Sequence, residues 1–255
     1  MDPREVMTRP APLPDAVLRY GEYADHLLDV HLPPSADGPA PVVFLVHGGF
    51  WRQRFDRTHT RPLAQALATE GLAVVTPEFR RVGPRSEGGW PTTFDDVRNA
   101  LAHVPALAEV APGRLALDEV TLVGHSAGGH LAMLLGLAPD RPATPRVRRV
   151  VALAPVADLY DAFTRGVGAD AAAAFMGGSP EDLPEQYAAA NPAGMLPGDV
   201  EVHVLHGDED AQVPVEMSRS LKGVNYTELA GMEHFGLIDP LSAAWQHLRD
   251  ALRAS

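Results

Sequence analysis

The chain contains no cysteine. That excludes disulfides, thiolate catalysis and cysteine-based zinc or iron–sulfur sites, and it fits a cytoplasmic protein. There is no run of about 18 apolar residues to span a bilayer. The opening Met1-Asp2-Pro3-Arg4-Glu5 leads into no apolar stretch, so no signal peptide is expected. No His-Glu-x-x-His pair or other ligand cluster is present, so no metal is expected. Internal repeats and low-complexity linkers are missing too. Basic side chains are the minority: 21 Lys and Arg against 33 Asp and Glu, a formal charge of −12. Such a surface repels nucleic acid and anionic membranes, and neither is expected as a partner.

What remains is a chain of 255 residues, 45% of them hydrophobic, which suits one α/β domain with a sizeable core. We expect a single domain over 1–255. Residues 1–15 are proline-rich without periodicity and read as a loose arm. Leu27–Leu32 alternates apolar and polar residues and reads as an edge strand, followed by a Pro/Gly/Ser/Asp turn over Pro33–Pro41. The continuous apolar run Val42–Val46 reads as a strand buried on both faces, Val120–Val123 as another buried strand, and Leu72–Val75, Val150–Leu153 and Val202–Leu205 as further strands. Tyr226–Leu229 is read as the last strand. Helices are predicted over Thr60–Glu70, Thr92–Val110 (kinked or split by Pro105), His130–Leu137 and Leu237–Leu252. Residues 155–199 are rich in Ala, Gly and Pro and read as an excursion, or cap, of short helices over the strand ends. Strands alternating with helices imply a mostly parallel sheet, and ligands bind at the carboxyl ends of such strands.

The chemistry-bearing residues all follow strands. Gly124-x-Ser126-x-Gly128 stands between a strand and a helix, the pattern of a nucleophile elbow. The sharp turn lifts the serine hydroxyl above the sheet, and glycine two positions to either side avoids a clash. Ser126 is therefore the candidate nucleophile. A tetrahedral intermediate needs backbone N–H donors. Ala127 supplies one, and the loop His47-Gly48-Gly49-Phe50-Trp51 can supply others, with Gly49 and Phe50 the candidate oxyanion-hole donors and Gly48 shaping the turn. Trp51 is read as bracing the loop and His47 as a structural hydrogen-bonding group. Serine also needs a base held by an acid, in the order Ser, acid, His. His234 lies after the last strand and before the last helix and is the candidate base. His247 falls inside that helix, His203 within a strand and His206 at its end. Asp208, Glu209 and Asp210 follow the Val202–Leu205 strand; Asp210 is preferred and Asp208 comes next, though spacing barely separates them. The acid would hold the imidazole tautomer and stabilise the imidazolium.

His-Gly-Gly-Phe-Trp at 47–51, Gly-His-Ser-Ala-Gly-Gly-His-Leu-Ala at 124–132, His-Gly-x-x-Asp at 206–210 and His234 together resemble the α/β-hydrolase serine esterases. Within them the chain is most similar to the kynurenine formamidases (arylformamidases) and related small carboxylesterases, and Leu28-Asp29-Val30 resembles that group's opening strands. The resemblance implies an α/β-hydrolase fold, a mostly parallel sheet of about eight strands flanked by helices. It implies Asp210 as the acid, no cofactor, and acyl transfer to water. Phe50 stands where hormone-sensitive-lipase-like enzymes carry a third oxyanion glycine, which points away from that branch. The expected activity is hydrolysis of a small-molecule carboxylic ester or aryl formamide through an acyl-enzyme. A dedicated N-formylkynurenine formamidase is one alternative; a non-catalytic small-ligand-binding protein on the same fold is another. A homodimer is compatible with the chain. Substrate choice is expected from the 155–199 excursion and the Phe50–Phe55 loop, with Phe163, Phe175, Met176 and Tyr187 able either to line a pocket or to pack.

Overall fold

The computed structural model describes residues 3–34 and 38–253. Its strands are β1 Ala16–Arg19, β2 Leu27–His31, β3 Ala40–Val46, β4 Ala73–Pro77, β5 Val82–Gly83, β6 Ser86–Glu87, β7 Leu115–His125, β8 Arg146–Leu153, β9 Glu201–Gly207 and β10 Asn225–Leu229. The helices are α1 Arg61–Thr69, α2 Thr92–Ala102, α3 Ala127–Leu137, α4 Leu159–Thr164, α5 Ala171–Met176, α6 Pro184–Ala189, α7 Val215–Arg219 and α8 Ala244–Arg253. The described residues form one eight-stranded sheet in the order β1-β2-β4-β3-β7-β8-β9-β10 and a small β5–β6 hairpin. From β4 to β10 every neighbouring pair is parallel; β1 and β2 are joined antiparallel at one side.

The apolar runs are strands because both faces are covered. Along β3, Val42, Phe44 and Val46 enter one core with α2 and α3, while Val43 and Leu45 enter a second core with α1 and α8. Alternate side chains of a strand point to opposite faces, so a run without polar breaks is what two cores require. α3 is buried along its whole length, which accounts for its lack of a polar face.

Three expectations are corrected. The stretch before β1 is no loose arm where it is described: Pro3–Met7 forms a 3-10 helix, Val6 is buried in the second core, and Arg9 pairs with Asp239 at 2.5 Å. β2 is not an edge strand; it lies between β1 and β4. Its alternation comes from Asp29 and His31, which are buried rather than solvated, Asp29 being paired with Arg57 and Arg61. The expected closing helix is broken. A 3-10 turn covers His234–Ile238, and α8 begins only at Ala244, where Ser242 Oγ accepts from Ala244 N. Pro240 lies in the break and can donate no N–H. The helix expected over Thr92–Val110 is split as read, into α2 and a 3-10 helix over Val104–Glu109. Of the turn expected over Pro33–Pro41, residues 35–37 lie outside the described residues, as do residues 1 and 2 of the arm.

Candidate active site

The strand order places the motifs. β3 is followed in the chain by β4 on one side and, later, by β7 on the other, so the sheet reverses direction between β3 and β7. Such a switch opens a crevice at the strand carboxyl ends. His47–Trp51 leaves β3 there and Ser126 leaves β7. Two strands further on, Asp208–Asp210 leaves β9 and His234 follows its neighbour β10.

Ser126 has φ 58° and ψ −120°, a strained backbone held by its surroundings. Its N–H donates to Leu153 O at 2.8 Å, and its own carbonyl accepts from His130 N at 3.0 Å and Val156 N at 3.2 Å. The turn leaves no room at the flanking glycines. A Cβ on Gly124 would stand 2.2 Å from Gly128 O, and one on Gly128 would stand 2.2 Å from Val46 O. Both obstacles are backbone and cannot swing aside.

The loop after β3 lies directly against this turn. A Cβ on Gly48 would meet His125 O at 2.8 Å and Ser126 Cβ at 3.2 Å. Gly49, Phe50 and Trp51 follow with φ of 119°, 54° and 55°. Positive φ is costly for the two aromatic residues, so their side chains must be held. Trp51 is buried and stacks on Phe175 of α5, ring centroids 4.6 Å apart, with His130 edge-on at 5.2 Å. It braces the loop. Phe50 lies against Gly168, where a Cβ would come within 2.3 Å of the ring. Arg52 donates to the carbonyls of Gly168 and Ala169 at 2.6 and 2.7 Å. Ala127 opens α3, so its N–H is among the first-turn donors that lack an intrahelical acceptor.

His47 is structural in its contacts. Its Nε2 lies 3.0 Å from Glu78 Oε1, and the ring stacks on Phe79 at 4.4 Å. Glu78 is buried and also meets Arg81 at 3.1 Å and the N–H of Arg57 at 3.0 Å. Burial would raise its carboxyl pKa; the attraction and hydrogen bond of His47, with Arg81 and the Arg57 amide, outweigh that and hold it low. Sequence reasoning missed Glu78, because His47 and Arg57, which it meets, are distant in the chain.

The structure brings His234 and Asp210 together. His234 Nδ1 stands 2.6 Å from Asp210 Oδ2. The other carboxylate oxygen accepts the N–H groups of Gln212 and Val213 at 2.7 and 2.8 Å. Burial pushes the Asp210 pKa up, but the hydrogen bonds from His206 and His234 dominate and hold it well below the ordinary value. Asp208 is used differently: it is exposed, and its Oδ1 accepts from Gly231 N at 2.6 Å. The two loops approach closely, since a Cβ on Gly207 would sit 2.0 Å from Met232 O. Glu233 caps the turn by accepting from Phe235 N and Gly236 N. The His234 ring packs on that of His125, centroids 4.4 Å apart, which sets the imidazole beside the residue preceding Ser126. His125 Nε2 also lies 3.1 Å from His234 O, and burial drives the His125 pKa far down.

The other candidates make packing or pairing contacts or are exposed. Phe175, Met176 and Tyr187 are buried in the core, and Phe163 packs edge-on against Tyr187. His247 is exposed on α8, and His203 pairs with Glu201 at 3.1 Å. Among the described residues no group of three or more His, Asp or Glu side chains could hold a metal ion, and no helix is long and apolar enough to cross a membrane. A strained serine, a buried carboxylate–imidazole pair and backbone N–H groups beside them can together carry out acyl transfer.

A family model described as BD-FAE matches residues 28–224. A probable carboxylic ester hydrolase of Mycobacterium tuberculosis, LipM, is 34% identical over 90% of this chain and 58% of its own length. Esterase LipQ of the same organism is 29% identical over 82% and 54%. The chain thus spans little more than half of these curated relatives. A kynurenine formamidase of Salmo salar is 25% identical over 91% of this chain and 79% of its own. Among solved structures, a carbohydrate esterase from gut microbiota superposes with a TM-score of 0.78 at 20% identity, covering 94% of this chain and 98% of that one. Esterase B of Lactobacillus rhamnosis gives 0.77 at 22% identity, covering 98% and 88%. These two likenesses concern the fold.

Proposed function

Because the chain belongs to the BD-FAE family of α/β hydrolases, we propose that it is a serine hydrolase cleaving a small-molecule carboxylic ester or aryl formamide. The observation that carries this reading is the 2.6 Å contact of His234 with Asp210 in a loop packed against the strained Ser126 turn. In the proposed cycle, His234 Nε2 takes the proton of Ser126 Oγ as the oxygen attacks the carbonyl. The N–H groups of Gly49, Phe50 and Ala127 receive the oxyanion. Asp210 keeps the proton on His234 Nδ1 and stabilises the imidazolium. His234 then protonates the leaving group, and a water activated by His234 frees the acid. Residues 155–199 act as a cap within a single domain. That reading is supported by the contacts of Gly168 and Phe175 with Phe50 and Trp51.

Ester hydrolysis is placed first because LipM, named as an ester hydrolase, shares the higher identity. A dedicated formamidase is the second reading, supported by the Salmo salar relative, whose length the chain covers more fully. The deciding measurement is kcat/KM for N-formylkynurenine and for p-nitrophenyl butyrate on one preparation, with Ser126→Ala as the blank. We expect ester turnover to exceed formamide cleavage. The opposite preference makes the formamidase reading correct. Failure of Ser126 to react with a fluorophosphonate in folded protein removes both and leaves a non-catalytic binder.

A further inference from the structure

The last residue but one of β9 is His206, which the triad chemistry does not use. Its ring is fully buried. Nε2 lies 3.2 Å from Asp210 Oδ2 and 3.1 Å from Val213 O. Both are acceptors, so the ring proton resides on Nε2 and is shared between them. In the neutral ring Nδ1 then accepts, and the buried Ser218 hydroxyl on α7, 2.7 Å away, supplies the donor. One imidazole therefore ties the start of the acid loop to its end while holding the acid. Asp210 Oδ1 is fixed by two amides of its own loop, and Oδ2 is shared by His206 and His234.

We propose that His206 is a positioning residue for the triad. It fixes Oδ2 of Asp210 so that the carboxylate presents itself to His234, and Ser218 sets its tautomer. This rests on the reading of Asp210 as the acid. Without the His206 N–H, a buried carboxylate oxygen loses a donor and is free to turn toward other partners. The geometry at His234 Nδ1 then loosens although no group touching substrate has changed.

The test compares His206→Asn, His206→Gln and Ser218→Ala with Asp210→Asn run alongside. The Gln amide reaches the former Nε2 position and can still donate to Oδ2; the Asn amide falls near Nδ1 and cannot. His206→Asn is expected to lower kcat by roughly 10–100-fold with KM nearly unchanged, the worth of one hydrogen bond to a charged group. His206→Gln should recover most of that loss. The low-field proton resonance of the His234–Asp210 hydrogen bond should shift in the Asn variant and return in the Gln variant. Folded His206→Asn with wild-type kcat and an unmoved resonance overturns the proposal. If that variant does not fold, Ser218→Ala decides, since it removes one oxygen: a kcat and resonance equal to wild type overturn the proposal there too. Asp210→Asn separates the two levels. If it stays active the triad reading has failed; if it is inactive while His206→Asn is not, only the role of His206 has failed.

Discussion

At the scale of single residues, function rests on which polar atoms find partners. Ser126→Ala and His234→Ala should each abolish turnover in a protein that still folds, because Asp210 keeps His206 and the Gln212 and Val213 amides when His234 is removed. Retention of most activity in either removes the mechanism. Asp210→Asn should lower kcat by about 10⁴-fold, the loss seen when an orienting carboxylate is replaced and the imidazole tautomer is no longer enforced. Asp208→Asn keeps an oxygen for the Gly231 N–H and should stay within roughly threefold of wild type. Steady-state kinetics on both variants tests the ranking; the reverse order moves the acid to Asp208. Ser126 was legible as a candidate because its motif is local, and His234 because it follows the last strand. The candidate acid was legible only as a short list. Asp208 and Asp210 share one loop, and what separates them is direction: one carboxylate is buried against His234, the other exposed against a glycine amide. Glu78 and His206 were not legible as site residues. A buried polar residue looks like any other until its partner from a distant segment is known.

Elements, in turn, are what hold the backbone donors in place. The strained loop after β3 is clamped by the 155–199 segment through Trp51 on Phe175 and Phe50 on Gly168. Gly168→Ala tests the clamp. Its φ of +65° disfavours a side chain, and the new Cβ would fall 2.3 Å from the Phe50 ring. Gly177→Ala is the control: its φ is +83°, yet nothing lies within 4 Å of the added carbon. Both should lose about 1–2 kcal/mol in urea unfolding from the left-handed backbone alone. Only Gly168→Ala should also lose kcat, by roughly tenfold or more, as Phe50 is displaced. Equal kcat in the two variants would uncouple the segment from the loop. β3 could be read from its apolar run because cover on both faces leaves no polar position from Val42 to Val46, whereas Thr121 interrupts the run in β7 and His203 that in β9. β1, the β5–β6 hairpin and α7 escaped notice because each is too short to build a period. β2 was misplaced for a physical reason: paired, buried Asp29 imitates the polar alternation of a solvent-facing edge.

For the whole molecule the sharpest consequence is acid sensitivity. His59 and His130 are buried, and burial lowers each to a pKa of about 4; His31 and His125 are lowered for the same leading reason. The unfolded chain binds a proton at each of these sites near pH 6.5, whereas the folded chain at His59 and His130 resists until about pH 4. Unfolding therefore takes up protons in that window. The stabilisation is complete above about pH 6.5 and is lost as pH falls toward 4. Below about pH 4.5 the carboxylates with lowered pKa, Asp210, Glu78 and Asp239, carry the loss further in the same direction. One opposing effect is the formal charge of −12, whose self-repulsion eases on acidification. A single variant separates the two. His130 Nε2 bonds to Ala190 O at 2.8 Å, and a Gln amide can take over that donation without titrating. Between pH 7 and pH 5 His130→Gln should lose roughly 2 kcal/mol less stability than wild type in urea unfolding. The bulk charge changes almost equally in both proteins, so it cancels in the difference. Parallel stability curves would mean that His130 accepts its proton in the folded state as readily as in the unfolded one.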